Sequence, residues 1–557
     1  MRKATVLVFL LLNMATQVSG GGDKKIGLVA EKSRPGRREN SREAKESDSI
    51  PAGDSVSSVF LGKLLVVPMD GSRWVGIKAI AQEMGRRGHR VTVVMPEVSL
   101  QMGPGDNYST LFYPVPYDKA FIDSLTSMHM DMMQKSSQSF IQKIKKRISQ
   151  VQNMTSFMHI TAESLLFNDS LISHLAMQGF HAVLTDPIAP TGSLIARKFG
   201  IPTINLLRGI PCSLDMKAAG CPSPASYVPQ FFSGYTDRMS FKESVINTLV
   251  SLVEPLFCRL LYWKFDNIAY QFLEEEVGVA EVLSESDIWL QRIDFTLEFP
   301  RPLMPNIILV GGINCNMRNP LSQNLESWVS GKHGFVVFTL GSMVSDMPED
   351  ITSIFIEAFR QIPQKVIWRY TGKVPGNISD NVKIMKWVPQ NDLLAHPGAR
   401  AFITHAGSHG VFEGLCHAVP MVMVPVNGDQ IDNAEKIASR GAGIVLDITS
   451  VTTEIIIQGL NEVINDTRYK ENMEKLSSLH KDRPIEPLDL SVYWTEFVMR
   501  HKGAKHLKAA VHDLNWFQYF CLDVLALMAA VVLVFVILLT KCMKVCFQKL
   551  GRKRKQD

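Results

Sequence analysis

Apolar and polar positions along this chain fall into two rhythms, and each marks an element. Leu61-Gly62-Lys63-Leu64-Leu65-Val66-Val67-Pro68 is a near-continuous apolar run closed by proline, the signature of a strand buried on both faces. Trp74–Arg87 carries apolar residues at helical spacing, and Gly88 ends that helix. Arg90–Val94 is a strand again, so strand, helix and strand fit within about 30 residues, a parallel βαβ unit. His181–Asp186 repeats the strand-to-loop transition, with a helix to Phe199 and a strand at Pro202–Leu206. A second series opens near Gly334 with the strand Phe335–Leu340 and continues through Val366–Arg369, Lys383–Met385 and Ala401–Thr404. The stretch 119–172 reads as largely helical and rich in methionine, which suits irregular core filling or an adaptable apolar surface. The simplest α/β assembly is two Rossmann-like domains of about 200–280 residues facing each other across a cleft.

The two ends follow neither rhythm. Arg2 and Lys3 precede the apolar run Ala4–Leu12 and small residues ending at Gly20, the layout of a cleaved signal peptide. Val524–Leu539 is uninterrupted apolar sequence, and extended back through Trp516 and Tyr519 it reaches the length that crosses a bilayer, with aromatics suited to its interface. The basic segment 541–557 follows, which marks the cytosolic side and makes this a type I membrane protein with its mass in the lumen. Within it, Lys553 and Lys555 sit at the spacing of a dilysine retrieval signal for the endoplasmic reticulum membrane; a plain stop-transfer tail is the alternative. The expected organisation is a signal segment over 1–20, a disordered leader over 21–57, an N-terminal domain over 58–310, a linker over 311–333 and a C-terminal domain over 334–480. A return segment over 481–515, a transmembrane helix over 516–540 and the tail over 541–557 complete it.

This layout changes the meaning of the charge. The formal +5 of the 557 residues suggests a nucleic-acid partner at first sight. The signal segment and the tail carry more than all of that excess, so the body between them is net acidic and a nucleic-acid role is excluded. Five Asn-x-Ser/Thr sequons, at Asn107, Asn153, Asn168, Asn377 and Asn465, lie on the luminal side as glycosylation candidates. Eight cysteines are too few for a disulfide scaffold; Cys212 and Cys221 either bridge or remain buried thiols. There is no Cys-x-x-Cys to suggest zinc and no Asp-x-Asp to hold a divalent ion on a nucleotide sugar, so no metal and no bound cofactor are expected.

The chemistry concentrates in Trp387–Gln430. Trp387-Val388-Pro389-Gln390 opens the stretch, Thr404-His405-Ala406-Gly407-Ser408-His409-Gly410 follows, then Glu413, and Asp429-Gln430 close it. His405 ends a strand, and a glycine-bearing turn enters a helix whose N-terminal N–H groups can cradle a diphosphate. Glu413 can accept two ribose hydroxyls, Trp387 offers a face to a base, and Asp429 and Gln430 can bind sugar hydroxyls. In this order, the motifs resemble the nucleotide-sugar signature of UDP-glycosyltransferases. With Phe338-Thr339-Leu340-Gly341-Ser342-Met343, Trp368-Arg369-Tyr370-Thr371-Gly372 and Leu479–Pro484, the chain from Leu64 onward resembles the vertebrate family 1 UDP-glucuronosyltransferases. The leader 21–57 matches nothing in that family.

The resemblance implies a GT-B fold, a small lipophilic acceptor in the N-terminal domain, UDP-glucuronate in the C-terminal domain, and inverting, metal-independent displacement of UDP. It assigns Trp387 and Gln390 to uridine, Ser342 and His405 to the diphosphate, His409 to the phosphate turn, Glu413 to ribose, and Asp429 and Gln430 to the sugar. It also allows self-association or association with relatives. One position departs from the family. The base histidine of the loop after the first strand is replaced in Asp70-Gly71-Ser72-Arg73-Trp74 by Arg73, which holds its proton at any relevant pH. Asp186 matches the aspartate that orients the base, and here can pair with Arg73 or act as a poor base. His89 reads as structural, and His159 has no assigned place. Family members lacking the histidine tend towards amine acceptors, so amine or acidic acceptors are expected. The alternatives are a UDP-glucose or UDP-N-acetylglucosamine donor, or a catalytically impaired partner of active relatives.

Overall fold

In a computed structural model, the described residues are 60–553 apart from 128–132, 134–139, 232, 317–318, 342–343, 345, 375, 377 and 427. The signal segment, the leader, Ser342, Asn377 and Lys555 therefore lie outside the described residues.

Two parallel sheets organise the chain. The first has strands β1 (Lys63–Val67), β2 (Arg90–Pro96), β3 (Ser109–Tyr113), β4 (Ala182–Thr185), β5 (Thr203–Leu207), β6 (Ile288–Gln291) and β7 (Ile307–Leu309) in the order β3-β2-β1-β4-β5-β6-β7. The second has β8 (Phe335–Thr339), β9 (Lys365–Arg369), β10 (Val382–Met385), β11 (Ala399–Thr404), β12 (Met421–Met423) and β13 (Gly443–Val445) in the order β10-β9-β8-β11-β12-β13. Both are Rossmann-like, as the strand patterns predict. Each order reverses once, beside β1 and β4 in one sheet and beside β8 and β11 in the other, and ligands bind outside the strand ends at such points.

The apolar runs are continuous because both faces of each sheet are covered. Leu65 and Val67 of β1 enter one core cluster with Val183 of β4 and Trp289 of β6. Leu64 and Val66 enter the opposite one with Leu184 and Leu290. The helix Pro487–His501 returns from the second domain to the first: Val492, Val498 and Met499 join that opposite cluster, and the Ala504 N–H donates to Asp287 Oδ1 at 2.8 Å. His89 serves this junction. Its Nδ1 accepts from the Gly62 N–H at 2.9 Å and its Nε2 lies 3.2 Å from Glu496, a structural role. His159 pairs with Glu163 one turn on in the same helix, at 3.3 Å.

Cys212 bridges Cys258, not Cys221, and Cys221 stays a buried thiol. Nine residues of separation invited the Cys212–Cys221 pairing; the long helix Phe241–Leu273 instead packs Cys258 against the loop after β5. A second disulfide joins Cys315 to Cys416. Near the C-terminus a short helix, Trp516–Tyr519, precedes the helix Leu522–Lys553, which is apolar and exposed through Gln548 and fits a single transmembrane helix. This helix continues unbroken into the basic segment.

Candidate active site

The two switch points face each other. On the first domain, the loop after β1 carries Asp70, Gly71 and Ser72 into the helix Ser72–Arg86, whose first turn holds Arg73. A guanidinium there meets the positive end of the helix dipole and needs an anion. Asp186, just past β4 and buried, supplies it. Arg73 Nη1 donates to both its carboxylate oxygens, at 3.0 and 2.8 Å. Asp186 Oδ1 also accepts the Ile188 N–H at 3.1 Å. Burial pulls the Arg73 guanidinium down, but Asp186 outweighs it and holds it above its ordinary value. Arg73, already protonated, has no site to take a further proton.

On the second domain, β11 ends at Thr404 and delivers His405 into the turn before the helix Ser408–Cys416. Two glycines make room for its imidazole. A Cβ on Gly341, where φ is +83°, would lie 2.4 Å from His405 Cε1, and one on Gly407 would lie 2.4 Å from His405 Nε2. Gly410 is buried in the first turn of the helix against Phe402 and Thr404. Ser408 Oγ is buried and makes no hydrogen bond among the described residues. Glu413 Oε2 accepts from Gln390 Nε2 at 2.6 Å. Burial pushes the Glu413 carboxyl up to about 7, the Gln390 hydrogen bond opposing and Asp392 adding to the rise. Trp387 is 63% exposed, with the Arg369 guanidinium 5.3 Å from its ring centre. Asp429 directly precedes the helix Gln430–Ala438, its Oδ2 accepting from Asn433 Nδ2 at 3.1 Å, and Gln430 Oε1 accepts the Val426 N–H at 2.7 Å. Every described residue of the Trp387–Gln430 signature therefore gathers at one end of the second sheet.

The cleft is bridged by residues the sequence did not single out. Arg208, just past β5, donates to Asp429 and lies 3.6 Å from Glu298. Arg292, just past β6, lies 2.7 Å from His409 Nε2, which is also 2.6 Å from the Ser72 carbonyl. Burial, then repulsion by Arg292, holds His409 well below the ordinary imidazole range, so it is neutral. A neutral Nε2 either accepts from Arg292 or donates to Ser72, not both. Arg292 is itself brought down to about 10 by burial and then by Arg73. The available signal was position: both arginines follow directly on strands whose ends face the cleft. Between the domains a cavity of about 90 Å³ is lined by Arg208, Asp215, Met216, Phe231, Tyr235 and Lys436, among others.

Other candidates sit apart from this centre. Asn107, Asn153 and Asn465 are exposed, whereas Asn168 is half-buried and caps the helix Asp169–Met177 by accepting from the Leu171 N–H. Lys553 ends the C-terminal helix. Cys315, Cys416 and His480 lie close enough to hold a metal ion, but the two sulfurs are bonded to each other and offer no thiolate.

Comparison with known proteins bears on this centre. The family described as "UDP-glucoronosyl and UDP-glucosyl transferase" matches residues 62–557. The chain is 45% identical over 508 residues to UDP-glucuronosyltransferase 1A1 of Rattus norvegicus, covering 90% of this chain and 94% of that one. It is 44% identical over 501 residues to UDP-glucuronosyltransferase 1A1 of Homo sapiens, covering 89% and 94%. Among solved structures, Os79 from O. sativa in complex with UDP superposes with a TM-score of 0.53 at 16% identity, covering 79% of this chain and all of that one. Spinosyn forosaminyltransferase SpnP gives 0.53 at 16% identity, covering 79% and 99%. These likenesses share the arrangement of two facing Rossmann-like domains, the GT-B fold.

Proposed function

The chain belongs to the UDP-glucuronosyl and UDP-glucosyl transferase family and is a UDP-glucuronosyltransferase using a UDP-sugar donor, and we propose that it transfers glucuronate to amine or acidic lipophilic acceptors in preference to alcohols and simple phenols. The donor is UDP-glucuronate. Trp387 and Gln390 take uridine, Glu413 the ribose, Ser342, His405 and the N–H groups from Gly407 to Gly410 the diphosphate, and Asp429 and Gln430 the sugar. His409 lines the phosphate turn. The acceptor attacks the anomeric carbon from the first domain and UDP departs on the opposite side, inverting the centre. Helix N-terminal N–H groups and His405 stabilise the developing diphosphate charge without a metal.

The observation that carries the acceptor preference is the Arg73–Asp186 pair. An alcohol must lose its proton as it attacks, and a protonated arginine locked onto the neighbouring carboxylate provides no base. A tertiary amine attacks through a lone pair and sheds no proton; a carboxylate acceptor arrives ionised and is attracted by Arg73. The apolar C-terminal helix and the basic segment after it support a type I arrangement in the endoplasmic reticulum membrane with both domains luminal.

The test is turnover of the parent and Arg73→His with one phenol and one tertiary amine. Phenol turnover is expected to rise with histidine, by about 10²-fold or more for a restored general base, while amine turnover changes little. Unchanged phenol turnover refutes the reading.

A further inference from the structure

The helix Phe241–Leu273 is long and apolar enough to cross a bilayer, yet its packing forbids that. Cys258, Tyr262, Phe265, Ile268, Ala269 and Phe272 on one face are buried in the core of the first domain, and the disulfide to Cys212 ties it there. The opposite face has a different character. Phe241, Val245, Leu249, Leu252, Leu256, Trp263 and Tyr270 are all exposed large apolar or aromatic side chains. They recur at steps of three, four and seven residues, which stacks them in one narrow stripe along a helix about 50 Å long. Phe241 is 87% and Leu252 71% exposed. Such a row facing water is costly and marks a docking surface.

Two observations name what covers it. The first is charge. The exposed charged side chains within this helix are Lys242 and Arg259, both cationic; Glu254 is buried against Lys217, Glu243 is spent on the Ser240 cap and Asp266 accepts the Val279 N–H, while the exposed Glu274, Glu275 and Glu276 lie past the last helical residue, Glu275 paired with Arg197. An apolar stripe flanked by cations matches an anionic bilayer surface. The second is continuity with the anchor. Gly220 packs against Val511, where an added Cβ would lie 2.5 Å from Val511 Cγ1. From Gly220 the chain runs directly to this helix, where Asn247 Nδ2 donates to the carbonyls of Ala225 and Val228 and Oδ1 accepts the Gln230 N–H. Val511 is five residues before Trp516, at most about 18 Å of extended chain. The anchor thus leaves the body beside the loop that holds the stripe.

We propose that the Phe241–Tyr270 stripe lies in the interface of the bilayer that the C-terminal helix spans, as a second, monotopic contact that holds the first domain against the lipid. The proposal rests on the reading of Leu522–Gln548 as a membrane span. It gives a lipophilic acceptor a short route from the acyl region to the first domain.

The test uses the full chain, with Cys521, Cys542 and Cys546 replaced by Ser, in phosphatidylcholine–phosphatidylserine vesicles. Single nitroxides are placed at Leu252→Cys, at Leu533→Cys in the anchor and at Ile455→Cys on the second domain. Leu252 and Ile455 are exposed, so neither label removes a core contact. At Leu252, relaxation by oxygen is expected to exceed relaxation by a water-soluble nickel chelate, the order of Leu533 and the reverse of Ile455. A Leu252 label that follows Ile455 while Leu533 stays lipid-facing overturns the docking and leaves the anchor standing. An aqueous Leu533 overturns the anchor itself, and with it the proposal. Dipolar broadening between Leu252 labels, with shielding from both relaxants, makes the face a contact between two copies and also overturns it. A Phe241→Cys label in Leu252→Asp/Leu256→Asp is expected to shift from the oxygen-favoured to the nickel-favoured order.

Discussion

If Glu413 holds the donor ribose, as proposed, donor binding strengthens as pH rises. Its carboxyl is pushed up to about 7, by burial first, with the Gln390 hydrogen bond opposing and Asp392 adding. Only the ionised form accepts two ribose hydroxyls at full strength. With the group at about 7, roughly a tenth of the ligand-free protein is ionised at pH 6 and roughly nine tenths at pH 8. Apparent affinity scales with the competent fraction, so donor affinity rises about tenfold across that range, about 1.4 kcal/mol. UDP-glucuronate is the right probe because its diphosphate is esterified at both ends and does not titrate there; free UDP does. Equilibrium dialysis with labelled UDP-glucuronate at pH 6, 7 and 8 measures the effect. Glu413→Gln binds more weakly and loses this slope, so the ratio of parent to variant affinity isolates it from other groups. Stability gives a second reading. A carboxyl raised in the fold binds more protons there than in the unfolded chain, so it costs stability progressively as pH climbs from about 4.5 to about 7, and no further above. Donor binding draws the carboxyl back to its ionised form, so the Tm gained on adding donor grows with pH. If parent and Glu413→Gln show the same pH slope, Glu413 is not the ribose ligand.

Three other outcomes follow from the packing. Gly341→Ala places a Cβ within 2.4 Å of His405 at a left-handed φ, so it displaces the imidazole; UDP-glucuronate affinity is expected to fall at least about tenfold by calorimetry, and an unchanged Kd counts against His405 as a diphosphate ligand. Asp186→Asn leaves Arg73 facing a helix N-terminus without its anion and is expected to cost about 2–3 kcal/mol in denaturant melts, below the ~3–5 of a fully buried pair because Arg73 is partly exposed. The same change in Arg73→His should cost less, and equal costs would show the pair contributes nothing. Cys416→Ser opens a closure of 101 residues and is expected to destabilise by ~4–5 kcal/mol on chain-entropy grounds, with Tm as readout.

What the sequence made legible, and what it did not, divides by how far apart in the chain the causes lie. Strands were legible because a parallel sheet covered on both faces leaves apolar runs such as Leu64–Val67 and Phe335–Thr339 uninterrupted. The Trp387–Gln430 signature was legible because three consecutive strand-to-helix turns, after β10, β11 and β12, bring it to one end of the sheet, so order along the chain stands in for proximity. Arg73 and Asp186 are 113 residues apart, yet Asp186 directly follows β4 and Arg73 opens the helix after β1, strands that neighbour each other at a switch point, and topology supplied the juxtaposition. Arg208 and Arg292 escaped because their partners, Asp429 and His409, belong to the other domain, and docking of two folded bodies leaves no periodicity in either. Phe241–Leu273 escaped for the opposite reason. It is apolar on its core face and on its exposed face alike, so the contrast that reveals a helix is missing, and Pro255 within it reads as a break. That same absence of contrast is the physical content of the docking surface. A helix packed on a soluble body commonly keeps its second face polar, and one whose second face is an apolar stripe, with Lys242 and Arg259 the charged side chains exposed within it, suits a non-aqueous neighbour on that side. The pattern that hid the element from sequence reading is the one that gives it a place at the membrane.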